Sequence, residues 1–200
     1  MNEFLVLAAA YLIGGIPFGY LLVKAKSGRD VRSLGSGNIG ATNVLRTTGR
    51  GLGVLTLLLD IGKGALAVWI AGRVTHGSPG WMAAAALAVM AGHAFPIFLK
   101  FHGGKAVASF VGAFLYLTPI PLLATLVVFV IVVAVSRYIS MGSVLGAALF
   151  PLAVWLIEHP PLPVLAAAII AGAFIVYRHS SNIARIRAGN ENVFSFGGKH

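Results

Sequence analysis

The chain has 200 residues, of which 58% are hydrophobic and only 10% are charged, and its mean hydropathy is +0.90. Soluble domains carry about 25% charged residues, so this composition argues against a water-soluble enzyme and against a disordered chain. It predicts a helical protein that crosses a membrane several times and forms a single domain over residues 1–200.

The charge balance is strongly basic, with 15 Lys and Arg against five Asp and Glu, for a net charge of +10. In a membrane protein such an excess usually lies in loops that face the cytoplasm, so we expect no nucleic-acid partner. The absence of cysteine excludes disulfides, thiolate catalysis and cysteine metal sites. Glu3 stands where a secretory signal peptide needs basic residues, so the first apolar segment is predicted to be a retained helix.

Seven apolar segments follow one another, and a helix needs about 20 residues to cross a bilayer core of ~30 Å. They are residues 4–23, 53–74, 81–99, 106–117, 121–135, 143–157 and 164–177. The first three are long enough to span. The last four need flanking residues to span or form half-membrane helices, and the fourth could be a re-entrant piece. The prediction is an all-α, polytopic membrane protein with seven transmembrane or half-membrane helices.

The distribution of the cations predicts the topology. If the N-terminus lies outside, residues 24–52, 100–105, 136–142 and the chain after Tyr177 face the cytoplasm. These segments hold 13 of the 15 cations, namely Lys24, Lys26, Arg29, Arg32, Arg46, Arg50, Lys100, Lys105, Arg137, Arg178, Arg185, Arg187 and Lys199. The positive-inside rule then places the C-terminus in the cytoplasm after an odd number of spans. Five spans also fit, if the fourth and fifth segments form a re-entrant hairpin.

The first cytoplasmic segment contains a Gly-rich motif with interspersed polar residues, Gly35-Ser36-Gly37-Asn38-Ile39-Gly40-Ala41-Thr42-Asn43-Val44-Leu45-Arg46. Its glycines permit positive φ and a close approach of the backbone to a ligand, and successive N–H groups in such a turn can bind an anion. Ser36, Thr42 and Asn43 add hydroxyl and amide groups, and Arg46 can bind phosphate through two nitrogens. The alternative is a flexible membrane loop with ordinary positive charge.

A second motif, Gly103-Gly104-Lys105, precedes the fourth apolar segment. The N-terminus of a helix offers N–H groups and positive dipole charge to an anion, and Lys105 adds a full charge. The spacing of a P-loop is absent, and Lys105 could instead be an interfacial lysine that extends toward water. His93, near the inner end of the third segment, is either a structural, hydrogen-bonded histidine or part of the site.

The third motif follows the last apolar segment and contains Arg178, His179, Asn182, Arg185 and Glu191. If this stretch is helical, His179 and Asn182 share a face because they are three residues apart. The arginines add charged hydrogen-bond donors, and the glutamate adds a charged acceptor. The alternative is a basic tail that binds anionic lipid headgroups.

Two further polar groups accompany the motifs. Ser140 and Ser143 lie in or beside the loop after the fifth segment, and Ser143 either caps the next helix or donates to a ligand. Asp60 and Lys63 are three residues apart inside the second segment. They are expected to form an ion pair, unless Lys63 reaches the cytoplasmic site.

Several chemistries lack the residues they need. The chain has neither the His-x-x-x-x-Asp pattern of soluble-type glycerolipid acyltransferases nor the Asp-rich signature of CDP-alcohol phosphatidyltransferases. No carboxylate cluster suits Mg²⁺ and no His/Cys/Asp set suits zinc. We therefore predict neither a metal ion nor a cofactor.

The three cytoplasmic motifs closely resemble those of the PlsY-type acyl-phosphate:glycerol-3-phosphate acyltransferases of bacterial membranes. The resemblance covers nearly the whole chain and includes residues 11–20 (YLIGGIPFGY) and 59–64 (LDIGKG). It implies seven membrane helices, an external N-terminus and a cytoplasmic site. The departures are small: Ile39 replaces the usual proline, Ala106 a glycine, Ser109 a threonine and Ser180 a basic residue.

The resemblance implies transfer of a fatty acyl chain from acyl phosphate to the 1-hydroxyl of sn-glycerol 3-phosphate, which gives lysophosphatidic acid and phosphate in the first acylation step of bacterial phospholipid synthesis. On this hypothesis the catalytic residues are Ser36, Lys105, His179 and Asn182. The donor phosphate is bound by Thr42, Gly103, Gly104, Lys105 and Ser143, and glycerol 3-phosphate by Ser36, Arg46, Asn182 and Lys105. His179 orients or deprotonates the hydroxyl or contacts a phosphate, and a donor phosphate oxygen is the alternative base. The other substrate-binding candidates are Gly37, Asn38, Gly40, Asn43, Lys63, His93, Ser140, Arg178, Arg185 and Glu191.

The implied location is the bacterial cytoplasmic membrane, where the protein contacts membrane lipid and, transiently, a soluble acyl-phosphate synthase. Two other functions stay open on the residues alone. A phosphate or organic-anion transporter should show broken helices at the membrane midplane and internal symmetry, and neither is evident in the sequence. A structural protein that binds anionic lipid would leave the glycines and asparagines of the motifs unexplained.

Overall fold

The structure, a computed structural model, describes residues 3–194. Within that range the regular elements are α-helices and two 3₁₀ turns, Val31–Ser33 and Ile97–Leu99, without any strand. The helices are α1 (Glu3–Gly15), α2 (Phe18–Ser27), α3 (Ala41–Thr48), α4 (Arg50–Val74), α5 (Pro79–Ala94), α6 (Val107–Leu117), α7 (Pro119–Ser136), α8 (Ile139–Ile157), α9 (Leu162–Arg178) and α10 (Ser180–Arg187). The predicted all-α fold is confirmed, and the placement of Lys199 lies outside the described residues.

All seven predicted segments are helical, but they differ in length. Among the described residues, five stretches are long and apolar enough to cross a membrane, namely Glu3–Ser27, Arg50–Val74, Pro79–Leu99, Pro119–Ser136 and Ile139–Ile157. The pair α9 and α10 also qualifies when taken together, although it is bent by 54°. α6 has 11 residues. At 1.5 Å per residue it measures about 16 Å, roughly half of a ~30 Å core. It is therefore a short apolar helix.

Prolines and a glycine mark where the helices begin and break. Pro17 separates α1 from α2, as expected for a residue without an N–H group. Pro79 and Pro119 are the first residues of α5 and α7, a position that suits the fixed φ of proline. Gly49 joins α3 to α4 with a φ of 101°, which other residues adopt only with strain.

The chain divides into two compact units, Met1–Leu117 and Thr118–His200. In the first unit α1 packs against α5, and α4 packs against α6. Glycine allows these backbones to approach, because a Cβ on Gly14 would overlap the backbone of Val89 and a Cβ on Gly112 would overlap the carbonyl oxygen of Ile61. Small residues at helix crossings are the usual basis of close packing between membrane helices.

The second unit consists of α7 to α10. α8 packs against both α7 and α9, and α10 contacts α8 and α9. Gly172 on α9 lies against Ala147 on α8, where a Cβ would overlap the carbonyl oxygen of Ala147. Phe150 and Ile175 are fully buried in this unit. The packing brings α10 beside α8, the helix that carries Ser140.

Candidate active site

The first motif folds into a tight loop around the side chain of Asn43; we call residues 35–46 the motif 1 loop. Asn43 is only 2% exposed. Its Nδ2 donates to the carbonyl oxygens of Leu34 and Asn38 at 3.0 and 2.8 Å, and its Oδ1 accepts the N–H of Ser36 at 2.9 Å. Both ends of the amide are engaged inside the loop, so Asn43 shapes the loop.

Glycines are required at the sharpest points of the motif 1 loop. Gly35 and Gly37 have φ values of 55° and 71°, in the left-handed region that favours glycine. A Cβ on Gly35 would overlap Oδ1 of Asn43. The N–H of Gly40 donates to Oδ1 of Asn38 at 2.8 Å, and α3 begins at the next residue. The polar residues of the motif thus include several that hold the loop itself.

Ser36 and Arg46 are the exposed polar side chains at the two ends of this loop. Arg46 forms no ion pair within residues 3–194, and Thr42 is half-buried in the first turn of α3. A buried apolar cluster anchors the loop to the segment before the second motif. Its members are Val23, Val31, Ile39, Val44 and Leu99. The first two motifs therefore share one apolar anchor.

The second motif runs back along the C-terminal end of α5; we call residues 103–105 the motif 2 turn. The N–H of Gly103 donates to the carbonyl oxygen of Ala94 at 3.1 Å, and the N–H of Gly104 donates to that of His93 at 3.1 Å. The last carbonyl groups of a helix accept no hydrogen bond from within the helix. These two hydrogen bonds therefore complete the end of α5.

These hydrogen bonds change which N–H groups of the second motif are available to an anion. Because the N–H groups of Gly103 and Gly104 donate to α5, they are not the donors that the sequence indicated for a phosphate. The N–H groups that lack an acceptor within a helix belong instead to the first turn of α6, which begins at Val107. Lys105, which is half-buried, lies two residues before that turn.

Three titratable side chains of α4 and α5 lie buried beneath the motif 2 turn. Asp60, Lys63 and His93 are between 2% and 4% exposed. Nζ of Lys63 lies 2.7 Å from Oδ1 of Asp60 and donates to the carbonyl oxygen of Ile16 at 2.9 Å. Nδ1 of His93 lies 3.6 Å from the same Asp60 oxygen. The predicted ion pair is confirmed, and the Lys63 ammonium is directed at partners inside the protein.

His179 lies at the junction of α9 and α10, where the chain bends by 54°, and it is 3% exposed. Its Nδ1 is 2.8 Å from the carbonyl oxygen of Ile175. A carbonyl oxygen only accepts, so Nδ1 carries the hydrogen of this bond, and in the neutral ring the lone pair lies on Nε2. Asn182 lies in α10, which begins at Ser180, whereas His179 precedes that helix, so the condition that one helix contains both residues is not met.

Glu191 is the centre of the third motif and is 8% exposed. Oε1 accepts from Nδ2 of Asn182 at 2.7 Å and from Oγ of Ser140 at 3.1 Å, and Oε2 accepts from Nε of Arg185 at 2.8 Å. Burial raises the pKa of Glu191, but the hydrogen bonds from Asn182, Arg185 and Ser140 outweigh burial and hold the pKa below its ordinary value. The carboxylate thus ties the C-terminal segment to α10 and to the start of α8.

Ser143 is inside α8 and does not cap it. The helix begins at Ile139, and Oγ of Ser143 donates back to the carbonyl oxygen of Ile139 at 3.0 Å. The prediction of a cap was wrong because the helix extends four residues beyond the apolar segment through Ser140 and its neighbours. The other role considered for Ser143, donation to a ligand, stays a prediction.

The two units carry different parts of the motif set. The first unit holds the motif 1 loop, the motif 2 turn and the buried Asp60–Lys63 pair. The second holds His179, the hydrogen-bonded Glu191 and Arg178, which is half-buried in the last turn of α9. Across the described range, 3–194, no three His, Cys, Asp or Glu side chains are grouped so that they could hold a metal ion.

Comparison with known proteins identifies the family. A glycerol-3-phosphate acyltransferase of Geobacter sulfurreducens is 47% identical over 194 residues, which are 97% of this chain and 98% of that protein. A protein of the same name from Trichlorobacter lovleyi is 48% identical over 94% of this chain and 95% of its own length. The family model for glycerol-3-phosphate acyltransferase matches residues 4–189. The chain belongs to the glycerol-3-phosphate acyltransferase family.

Two solved structures of this family have the same fold. They are crystal structures of PlsY (YgiH), an integral membrane glycerol 3-phosphate acyltransferase. The glycerol 3-phosphate form has a TM-score of 0.92 and 36% identity, and covers 98% of this chain and 96% of that one. The lysophosphatidic acid form has a TM-score of 0.88 and 34% identity, with the same coverage. The resemblance to PlsY-type enzymes and the predicted multi-pass helical fold are therefore confirmed.

The position of His93 beneath the motif 2 turn of this acyltransferase is not evident from the sequence. The two elements are about ten residues apart, and only the folded chain shows that they touch. One local signal was present: Pro96 follows the end of α5, and a proline close behind a helix ends it and favours a change in chain direction. The role of Asn43 as the centre of its loop also depends on contacts that spacing does not encode.

Proposed function

We propose that this acyltransferase takes its fatty acyl chain from an acyl phosphate and transfers it to the 1-hydroxyl of sn-glycerol 3-phosphate. The products are lysophosphatidic acid and inorganic phosphate. The observation that carries the proposal is the likeness, over 98% of the chain, to PlsY in a glycerol 3-phosphate form and a lysophosphatidic acid form. These two compounds differ by one acyl group. The resemblance of all three motifs to those of acyl-phosphate-dependent enzymes supports the donor.

An acyl phosphate is an activated donor, so the chain need not supply a covalent nucleophile. Accordingly, it has no cysteine. The main requirement is for cationic and N–H groups that stabilise the departing phosphate. We assign this role to Lys105, Thr42, Ser143 and the first N–H groups of α6. Gly103 and Gly104 contribute by shaping the turn that presents Lys105.

Glycerol 3-phosphate is assigned to Ser36, Arg46 and Asn182. Arg46 is exposed, and a guanidinium group can bind a phosphate through two parallel hydrogen bonds. Ser36 presents an exposed hydroxyl on the tight motif 1 loop. Nδ2 of Asn182 donates to Glu191 at 2.7 Å, so Oδ1 of Asn182 is the group that suits a hydroxyl of the substrate.

His179 is assigned as the general base. Its Nε2 accepts the proton of the 1-hydroxyl while the hydroxyl oxygen attacks the acyl carbonyl carbon. The bond from that carbon to the phosphate oxygen then breaks, and phosphate leaves with the bonding electrons. The hydrogen bond from Nδ1 of His179 to the Ile175 carbonyl supports this role, because it fixes the tautomer and the orientation of the ring.

The proposed location is the bacterial inner membrane, with the N-terminus outside and the motifs and the C-terminus in the cytoplasm. The support is the concentration of 13 of the 15 cations in the segments that this topology puts inside. A cytoplasmic site is accessible to soluble glycerol 3-phosphate. It also suits delivery of the lipophilic acyl phosphate by a soluble synthase that contacts the enzyme transiently.

A comparison of donors tests the proposed function. Purified protein in detergent is given glycerol 3-phosphate with either palmitoyl phosphate or palmitoyl-CoA, and the lipid product is identified by mass spectrometry. We expect lysophosphatidic acid from palmitoyl phosphate and only background from palmitoyl-CoA. Equal product from palmitoyl-CoA would contradict the proposed donor, although it would leave membership of the family unchanged.

A further inference from the structure

Three buried titratable side chains of the first unit, Asp60, Lys63 and His93, take no part in the chemistry proposed above. Two of them form an ion pair inside a helix that is long and apolar enough to cross a membrane. Charged residues in such segments are unfavourable and mark functional positions by default. Well-packed apolar residues of similar size are often at least as stabilising as a buried ion pair, so packing alone does not account for this group.

The imidazole of His93 lies directly against Gly104. A Cβ added to Gly104 would overlap Nε2 of His93 and would lie 2.9 and 3.2 Å from Cδ2 and Cε1 of the same ring. A Cβ on Gly103 would overlap the carbonyl oxygen of His93 and Cδ of Pro96. Together with the hydrogen bond from the Gly104 N–H to the His93 carbonyl, these contacts make His93 the support of both glycines.

The Asp60–Lys63 pair holds the ring from its other side. Oδ1 of Asp60 lies 3.6 Å from Nδ1 of His93, which is an electrostatic contact longer than a hydrogen bond. Lys63 lies 2.7 Å from the same oxygen. Its Nζ is itself fixed by the carbonyl oxygen of Ile16 at 2.9 Å and lies 5.6 Å from the centre of the Phe18 ring. A continuous set of contacts therefore runs from the break between α1 and α2 to His93.

The same helix also holds the element that follows Lys105. Gly64, the residue after Lys63, packs so closely against α6 that a Cβ would overlap the carbonyl oxygen of Ser109. α4 thus contacts α6 directly through Gly64, and its Asp60 contacts His93 of α5, the residue that lies against the turn before α6. The segments before and after Lys105 are therefore both held in place by contacts that lead to α4.

We propose that His93 is a positioning residue for the motif 2 turn: its ring, held by the Asp60–Lys63 pair, sets the position of the two glycines and thereby that of Lys105. This inference rests on the proposed function, in which Lys105 binds the donor phosphate. A displacement of about 1 Å far from the reacting atoms can lower turnover by about 100-fold. Acyl transfer should therefore respond strongly to changes beneath the turn.

A double-mutant cycle across the contact between the ring and the glycine tests the proposal. Gly104→Ala places a methyl group against the imidazole, and we expect kcat/KM for palmitoyl phosphate to fall by about 100-fold. His93→Asn shortens the side chain, and we expect a fall of about 10-fold. In the double variant the shorter side chain leaves room for the methyl group. Its kcat/KM should be about 10-fold above that of Gly104→Ala alone.

This rescue distinguishes positioning from a general contribution to stability. If His93 only stabilised the fold, the losses from the two substitutions would multiply, and kcat/KM of the double variant would lie below that of either single variant. That result would overturn the proposal. Thermal unfolding midpoints of all variants identify any that fail to fold.

A second arm tests the ion pair without leaving either charge unpaired. The double variant Asp60→Asn/Lys63→Met should unfold cooperatively, and we expect its KM for palmitoyl phosphate to rise by about 10-fold. Thr56→Val is the matched control, because Thr56 is fully buried on the same helix and its hydroxyl donates only locally, to the Leu52 carbonyl at 2.8 Å. The control should stay within about two-fold of wild type. Wild-type kinetics in the charge-free variant would show that the pair does not position the turn.

Failure of this inference can be told apart from failure of the proposed function. A wild-type protein that does not use palmitoyl phosphate, or a Lys105→Ala variant that is as active as wild type, would overturn the proposed function. An active wild type with a strong Lys105→Ala defect, combined with unaltered kinetics in the His93→Asn variant, would overturn only the positioning role.

Discussion

His179 is the general base of the proposed reaction. The hydrogen bond from its Nδ1 to the Ile175 carbonyl makes Nε2 the basic nitrogen of the neutral ring. His179→Gln keeps a polar side chain but removes this base. We expect kcat for phosphate release to fall by about 10²–10⁴-fold, with little change in the thermal unfolding midpoint. His76→Gln, an exposed histidine in the link after α4, is the control. Near-full turnover in His179→Gln would exclude His179 as the essential base.

Glu191 is a structural residue in this account, since three side chains donate to its carboxylate. Glu191→Gln removes the charge and replaces one acceptor by a donor. Hydrogen bonds to charged groups contribute about 1.5–3 kcal/mol each, so we expect the free energy of unfolding to fall by about 2 kcal/mol or more. Glu158→Gln, at the end of α8, should change it by less than about 0.5 kcal/mol. Equal effects of the two substitutions would contradict the role of Glu191.

The same residue predicts how stability depends on pH. Because the hydrogen bonds lower the pKa of Glu191 in the folded protein, its stabilising contribution is complete above the ordinary value of 4.5 and is lost as the pH falls through the lower folded pKa. The difference in unfolding midpoint between wild type and Glu191→Gln should therefore be constant above pH 4.5 and shrink below it. A pH series of thermal unfolding in detergent measures this difference. A difference that grows toward acid pH would contradict the assignment.

Between elements, α4 and α6 pack tightly at Gly112. A methyl group there would overlap the Ile61 carbonyl, so we expect Gly112→Ala to lower the free energy of unfolding by about 1–3 kcal/mol. Gly62→Ala is the matched control on α4, because a Cβ at Gly62 meets no atom within 4 Å. Its stability should be unchanged or slightly raised, since alanine favours the helix. Equal destabilisation by both substitutions would show that the crossing is not tight.

Helices were largely predictable from the sequence, because the length of an apolar run is a local property. The boundaries were less so: α8 begins at Ile139 rather than Ser143, because its first turn is held by tertiary contacts, with Ser140 bonded to Glu191 and Gly142 packed against α7.

At the site, the first motif predicted glycines suited to positive φ, and Gly35 and Gly37 have it. The spacing could not predict that Asn43 binds its own loop, or that the motif 2 turn pairs with α5, because these hydrogen bonds depend on how the chain folds back.

For the whole molecule, the absence of cysteine makes the predicted topology simple to test. Arg73→Cys and Arg50→Cys place single thiols at exposed positions near the two ends of α4. In intact cells a membrane-impermeant maleimide should label Arg73→Cys, and it should label Arg50→Cys only after the membrane is opened, because positive-inside charge places Arg50 in the cytoplasm. The reverse labelling pattern would contradict the topology.

Phosphate release is the first measurement to make, because it reports both acyl transfer from acyl phosphate to glycerol 3-phosphate and the proposed contact of Lys105 with the donor phosphate. Purified protein is supplied with palmitoyl phosphate, with and without glycerol 3-phosphate, and the Lys105→Ala variant is measured in parallel. We expect release that requires both substrates, matches lysophosphatidic acid mole for mole, and falls by about 100-fold or more in Lys105→Ala. No release from a folded preparation, or release that ignores glycerol 3-phosphate, would contradict the proposed acyl transfer.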